Sequence, residues 1–132
     1  MLRKVPLLFL ALVAYNVAVV AAGKPLETAL VSIGLPSGAA WAFTLGDLLL
    51  TFGLGLLFVE VIQSTRTSAT SIVNHALSTV VMTIGIVEFV TVQRAGTSVF
   101  FFLVTMCAID VIAGFTVTIS TARRDFGPAH DH

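Results

Sequence analysis

Four acidic side chains lie inside long apolar stretches of this chain. Asp47, Glu60, Glu88 and Asp110 are set among Leu, Val, Ile, Phe and Ala, and His75 shares their surroundings. Every Lys and Arg falls outside those stretches: Arg3, Lys4, Lys24, Arg66, Arg94, Arg123 and Arg124. A bare carboxylate in hydrocarbon costs ~3 kcal/mol on insertion scales. Each acid must therefore carry a proton, sit near an interface, hydrogen-bond inside a bundle, or meet a cation from outside the chain. The chemistry open to such groups is proton or cation relay, because intramembrane carboxylates and histidines mark pumps and transporters.

The elements that position these groups are read from apolar run lengths. Hydrophobic residues make up 57% of the 132 residues and charged residues 11%, against about 25% charged in soluble domains. Mean hydropathy is +1.02. The expectation is an all-α integral membrane four-helix bundle forming a single transmembrane domain over 1–132. Its spans cover about 5–22, 39–62, 72–92 and 99–119, each near the ~20 residues that cross a bilayer core. A polar tail occupies 120–132. The first run also resembles a signal peptide ending at Ala22, but it exceeds the usual 7–15-residue apolar core and is read as a retained span. Between spans one and two, Leu26, Ala29, Leu30 and Ile33 recur at helical spacing, and Pro25 and Gly34 bracket them. A short interfacial helix is expected there, followed by Trp41 as an aromatic belt residue. Arg3, Lys4, Arg66, Arg123 and Arg124 fall on one side and Lys24 and Arg94 on the other, which puts both termini in the cytoplasm.

Depth follows from the 1.5 Å helical rise. Glu60 falls level with His75, Asp110 with Asn16, and Asp47 with Glu88. A Glu60–His75 hydrogen bond is expected. Asp110, the deepest acid, is expected to be uncharged and bonded to a backbone carbonyl, to Asn16 or to a neighbouring subunit. Asp47 and Glu60 are rotated about 140° around their helix, as are His75 and Glu88, so neither helix presents a continuous polar face. Interhelical hydrogen bonding by the acids is therefore favoured over a proton wire. Ala14 and Ala18 on the first span, and Gly38, Ala42, Gly46 and Gly53 entering the second, have the small-residue spacing of helix contacts.

Other chemistry finds little purchase. Two-ligand haem binding would need a second intramembrane histidine. Glu60 with His75 makes a poor metal site, and His130 and His132 read as a surface tail. The spans hold no Lys for a Schiff base, and Cys107 is the sole cysteine. GxSxG, HExxH, CxxC, phosphate-loop and dinucleotide patterns are missing. No enzyme activity, no cofactor and no metal is expected, and zero net charge argues against nucleic acid.

The segments FTLGDLLL (43–50), FVEVIQSTRT (58–67), SIVNHALS (71–78), IVEFV (86–90) and DVIAGFTVTISTARRD (110–125) give the chain a family likeness. It resembles small four-span bacterial inner-membrane proteins and, in size and span number, PsiE-type proteins. The resemblance implies a multi-pass protein of the bacterial inner membrane and supplies no functional residue. The leading expectation is a non-catalytic accessory or structural subunit. It would pack in a larger membrane complex or self-associate, with the lipid bilayer around it. The alternatives are a small proton- or cation-coupled transporter using the intramembrane carboxylates, and a quinone- or lipid-binding module.

Overall fold

The computed structural model describes residues 5–64 and 69–125. Arg3, Lys4, Arg66, His130 and His132, with the expectations placed on them, lie outside those residues. The elements in chain order are α1 (Leu8–Tyr15) running into π-helical turns (Asn16–Ala21), β1 (Ala29–Gly34), β2 (Ala40–Thr44), α2 (Leu45–Ser64), α3 (Ala69–Thr91) and α4 (Ser98–Asp125). A 3-10 turn, Gln93–Ala95, joins α3 to α4. Segments of α2, α3 and α4 are long and apolar enough to cross a membrane. The apolar helix Leu8–Ala21 is shorter, about 21 Å by its rise, against a hydrocarbon core of ~30 Å.

Helix packing follows the spacing of buried positions. On α1 and the π turns that continue it these are Leu8, Ala11, Leu12, Tyr15 and Val19, and on α4 they are Phe100, Leu103, Met106, Cys107, Asp110, Val111 and Gly114. Steps of three and four put each set on one face. α4 is the packing centre, with α1, α2 and α3 all seated against it. Apolar side chains such as Phe58, Val90 and Ile112 point outward, as suits helices solvated by lipid.

Glycine fixes two close approaches. A Cβ at Gly53 would stand 2.8 Å from Leu103 and 2.9 Å from Met106, so α2 meets α4 there. A Cβ at Gly85 would stand 3.2 Å from Val104 and 3.6 Å from Leu12, so α3 meets α4 and α1 there. Gly46 is also crowded, 3.1 Å from Val99, and Ala14 and Ala18 are half-buried against the core.

The connector between α1 and α2 corrects the expectation of a short interfacial helix, in a chain that is otherwise helical. β1 and β2 form a two-stranded antiparallel sheet, with Val31 opposite Phe43 and Ile33 opposite Trp41. β-Branched and aromatic residues at alternate positions suit a pleated strand better than a helix. The turn uses Gly38 at φ +93°, which glycine accepts without steric cost. Gly38 and Ala42 therefore sit in this hairpin and not on a helix face, and the second helix begins at Leu45 instead of residue 39. At the other end α4 continues through the basic stretch to Asp125, beyond the expected limit at 119, because Ala and Arg are strong helix formers.

The α2–α4 contact gives a stability test. Gly53→Leu should lower stability in mild detergent by about 1–3 kcal/mol, the usual range for overpacking. Gly55→Leu, where a Cβ meets open space, should leave the thermal midpoint close to that of the native chain.

Candidate functional site

Three of the four intramembrane acids, Asp47, Glu60 and Glu88, are hydrogen-bonded to a neighbour that the fold supplies. Asp47 stands in the first turn of α2 and forms a capping box with Thr44. The Thr44 N–H donates to Asp47 Oδ2 at 3.0 Å, and the Asp47 N–H donates to Thr44 Oγ1 at 3.2 Å. This satisfies backbone donors that a helix start leaves open. The next free donors find the connector: Leu45 N–H reaches the Thr28 carbonyl at 2.9 Å and Gly46 N–H the Leu26 carbonyl at 3.0 Å. Asp47 is thus a helix cap and does not pair with Glu88.

Glu88 pairs with Asn16, whose Nδ2 donates to Glu88 Oε1 at 3.1 Å and to the Leu12 carbonyl at 2.8 Å. The second bond draws on a carbonyl of the preceding turn, and the helix widens into its π turns at this residue. Asn16 was expected beside Asp110. The register of α1 against α3 brings it to Glu88 instead.

Tyr15 anchors the same end of the bundle. It is fully buried, packs edge-on to Phe100 at 4.8 Å, and donates its hydroxyl to the Arg94 carbonyl at 2.7 Å. Thr97 Oγ1 lies 2.8 Å from the Tyr15 oxygen. Tyr15 has a single proton, so Thr97 donates the second bond. Thr97 Oγ1 also accepts the Phe100 N–H at 3.2 Å, which caps α4. Arg94 returns along the π segment to donate to the Val20 carbonyl at 3.1 Å. An open pocket lies nearby, lined by Glu27, Asp47, Thr97 and Ser98 among others.

The opposite half of the bundle holds the denser polar group. Glu60, Ser64, His75, Ser78 and Asp110 are each at most 5% exposed. Register explains their meeting. α2 and α4 run the same way, and Gly53 lies against Leu103 and Met106, so two turns later Glu60 comes level with Asp110. α3 runs the other way, and from Gly85 against Val104 the seam leads to Ser78 beside Asp110 and His75 beside Gly114. Cys107, one turn before Asp110 on α4, is buried as well.

The bonds in this group differ from the expected Glu60–His75 pair. Glu60 Oε1 accepts the N–H of Leu7, at the start of α1, and Oε2 accepts Asn74 Nδ2 at 3.3 Å. The Ser78 hydroxyl donates to the Asn74 carbonyl at 3.0 Å, and the register of α3 against α4 puts it beside the buried Asp110. His75 instead lies over Gly114, 6.4 Å from the Phe115 ring centroid, and its Nε2 has no partner. A helical rotation of about 100° separates neighbours, so Asn74 faces α2 while His75 faces α4. Among the described residues no group of three or more His, Cys, Asp or Glu is arranged to hold a metal ion.

Asn74, Ser78, Tyr15 and Thr44 were not among the residues expected to matter. The spacing of Asn74 and Ser78 placed both on one face of α3, and T-L-G-D is a capping-box pattern, so these signals were present. Neither a protein-family model, nor a curated protein, nor a solved structure matches the chain.

A double-mutant cycle tests the revised pairing. Removing one partner of a buried hydrogen bond costs about 1–3 kcal/mol. Glu60→Leu and Asn74→Leu should therefore show a coupling energy in thermal or denaturant unfolding. Glu60→Leu with His75→Leu should show a smaller one. The reverse order would restore the Glu60–His75 bond.

Proposed function

We propose that this chain is a non-catalytic integral membrane subunit that assembles with other membrane-embedded protein through its β-hairpin. The carrying observation is the face of that hairpin formed by Val31, Ile33, Trp41 and Phe43. Val31, Ile33 and Trp41 are each at least 45% exposed, and residues 29–44 contain no charge. A lone two-stranded ribbon is marginally stable in water and has few ways to bury such a face. Its two outer edges also leave backbone donors and acceptors open to another strand. Meanwhile Asp47, Glu60 and Glu88 are bonded within the chain, which supports a role for them in fixing the bundle.

The topology proposed with this reading has four membrane-inserted helices, with α1 extended by the Pro6–Leu7 turn. Both termini face the cytoplasm of a bacterial inner membrane, as the distribution of Arg and Lys supports. Reporter fusions after Arg66 and after His132 should both read cytoplasmic. A periplasmic signal from either would overturn this arrangement.

Assembly is tested by native mass spectrometry of the full chain released from lipid particles. An oligomer or a complex with a second membrane protein is expected. Ile33→Lys with Trp41→Lys should dissociate it while leaving the helical circular dichroism intact. A native chain that is monomeric throughout, with its hairpin embedded in the lipid interface, would contradict the assembly reading.

A further inference from the structure

Building on the assembly reading, we propose that the partner at the hairpin is a second copy of this chain, and that Lys24 of each copy enters an acidic pocket at the hairpin base of the other. The open pocket holds about 370 Å³ and is lined by Leu26, Glu27, Thr44, Asp47, Ser98 and Val99 among others. Its charged side chains are both carboxylates. Asp47 Oδ2 accepts the Thr44 N–H. Among the described residues, Asp47 Oδ1 and both Glu27 oxygens accept no hydrogen bond. The N-termini of α2 and α4 each add about half a positive charge nearby, which two carboxylates exceed. Backbone donors that could hold an anion are largely taken. Leu45 and Gly46 N–H reach the Thr28 and Leu26 carbonyls, and Phe100 N–H reaches Thr97 Oγ1. The pocket therefore suits a cation.

Lys24 is the complementary group. It is exposed, as is Glu27, and among the described residues neither takes part in an ion pair. Pro25 stiffens the backbone between them, and the turn that carries Glu27 is closed by the Thr28 N–H on the Pro25 carbonyl at 3.2 Å. Arg94, the other described cation at this end, is committed to the Val20 carbonyl. A closed pair of copies inserted the same way in one membrane has its twofold axis along the membrane normal. Each residue then meets residues of the other copy at its own depth. Lys24 lies three residues from Glu27, so cation and pocket share one depth. The axis makes that pairing twice, and the flexible four-carbon stem of Lys supplies the reach. The same axis brings together the exposed, uncharged hairpin faces of Val31, Ile33 and Trp41. A second copy thus supplies by symmetry both the apolar cover and the cation that the surface asks for.

Charge reversal tests this, with the dimer fraction of the full chain in liposomes followed by energy transfer between labelled copies as the lipid ratio is varied. Lys24→Glu and Glu27→Lys should each weaken the dimer about tenfold, because two exposed pairs turn from attraction to repulsion. An equal mixture of the two variants should regain native strength as a mixed dimer, since opposite charges again face each other across both contacts. Lys24→Glu combined with Glu27→Lys in one chain should regain it as well. Helical circular dichroism should stay at the native level throughout. A dimer unmoved by either single variant, or a mixture no stronger than its components, would overturn the proposal. So would a native chain that associates only with a different membrane protein, which leaves the assembly reading standing. A native chain that is monomeric at every lipid ratio and in every complex tested overturns both. If a single variant loses its helical signal, Lys24→Gln with Glu27→Gln decides, and a dimer of native strength from that chain overturns the proposal.

Discussion

One chain of hydrogen bonds ties three of the helices together. Ser78 on α3 meets the Asn74 carbonyl a turn away, Asn74 meets Glu60 on α2, and Glu60 takes the Leu7 N–H at the start of α1. Each member needs the next. In hydrocarbon an unpartnered polar group costs several kcal/mol, and no water stands by to replace a lost bond. The chain therefore fixes the rotation and height of α1, α2 and α3 relative to one another, and close packing at Gly53 and Gly85 seats them on α4. Apolar packing alone would leave these less well specified, since lipid tails solvate Leu and Phe as readily as a protein core does.

The two ends of the bundle are built on different physics. At the hairpin end, Tyr15, Thr97, Arg94 and Asn16 tie side chains to backbone carbonyls and to Glu88, and the π turns after Asn16 leave the Val20 carbonyl to be met by Arg94. Aromatic contact between Tyr15 and Phe100 fills the space beneath. At the other end, Glu60 bonds across helices to the Asn74 amide and the Leu7 N–H, while Ser78 bonds back to the Asn74 carbonyl of its own helix. The first arrangement pins loops to helices. The second keeps titratable groups together, out of contact with lipid, on helices whose outward faces are apolar.

Much of this was legible in the chain. Run lengths gave α2, α3 and α4, because the bilayer core sets one length for any helix that crosses it. Unpaired acids marked the polar core, because charge is rare at that depth. Gly53 was recognisable as a contact for the same reason that small residues generally are. The readings that failed did so on geometry that spacing alone does not supply. In a segment as short as 26–33, Leu26, Ala29, Leu30 and Ile33 fit a helix while Val31, Ile33, Trp41 and Phe43 fit strands, and the second pattern needed the partner strand to become visible. Depth put Glu60 level with His75, but the choice between His75 and Asn74 depends on helix rotation, which the register at Gly53 and Gly85 sets.

The central claim is that Glu60 binds the first turn of α1 to the rest of the bundle. Backbone amides at a helix start have no partner within their own helix and exchange quickly unless something else holds them. The most direct measurement is amide hydrogen exchange at Leu7, followed by NMR in a membrane mimetic. Leu7 should be protected in the native chain and lose that protection in Glu60→Leu, while amides around Phe100 keep theirs. Equal, rapid exchange at Leu7 in both proteins would show that the contact does not hold α1 in place.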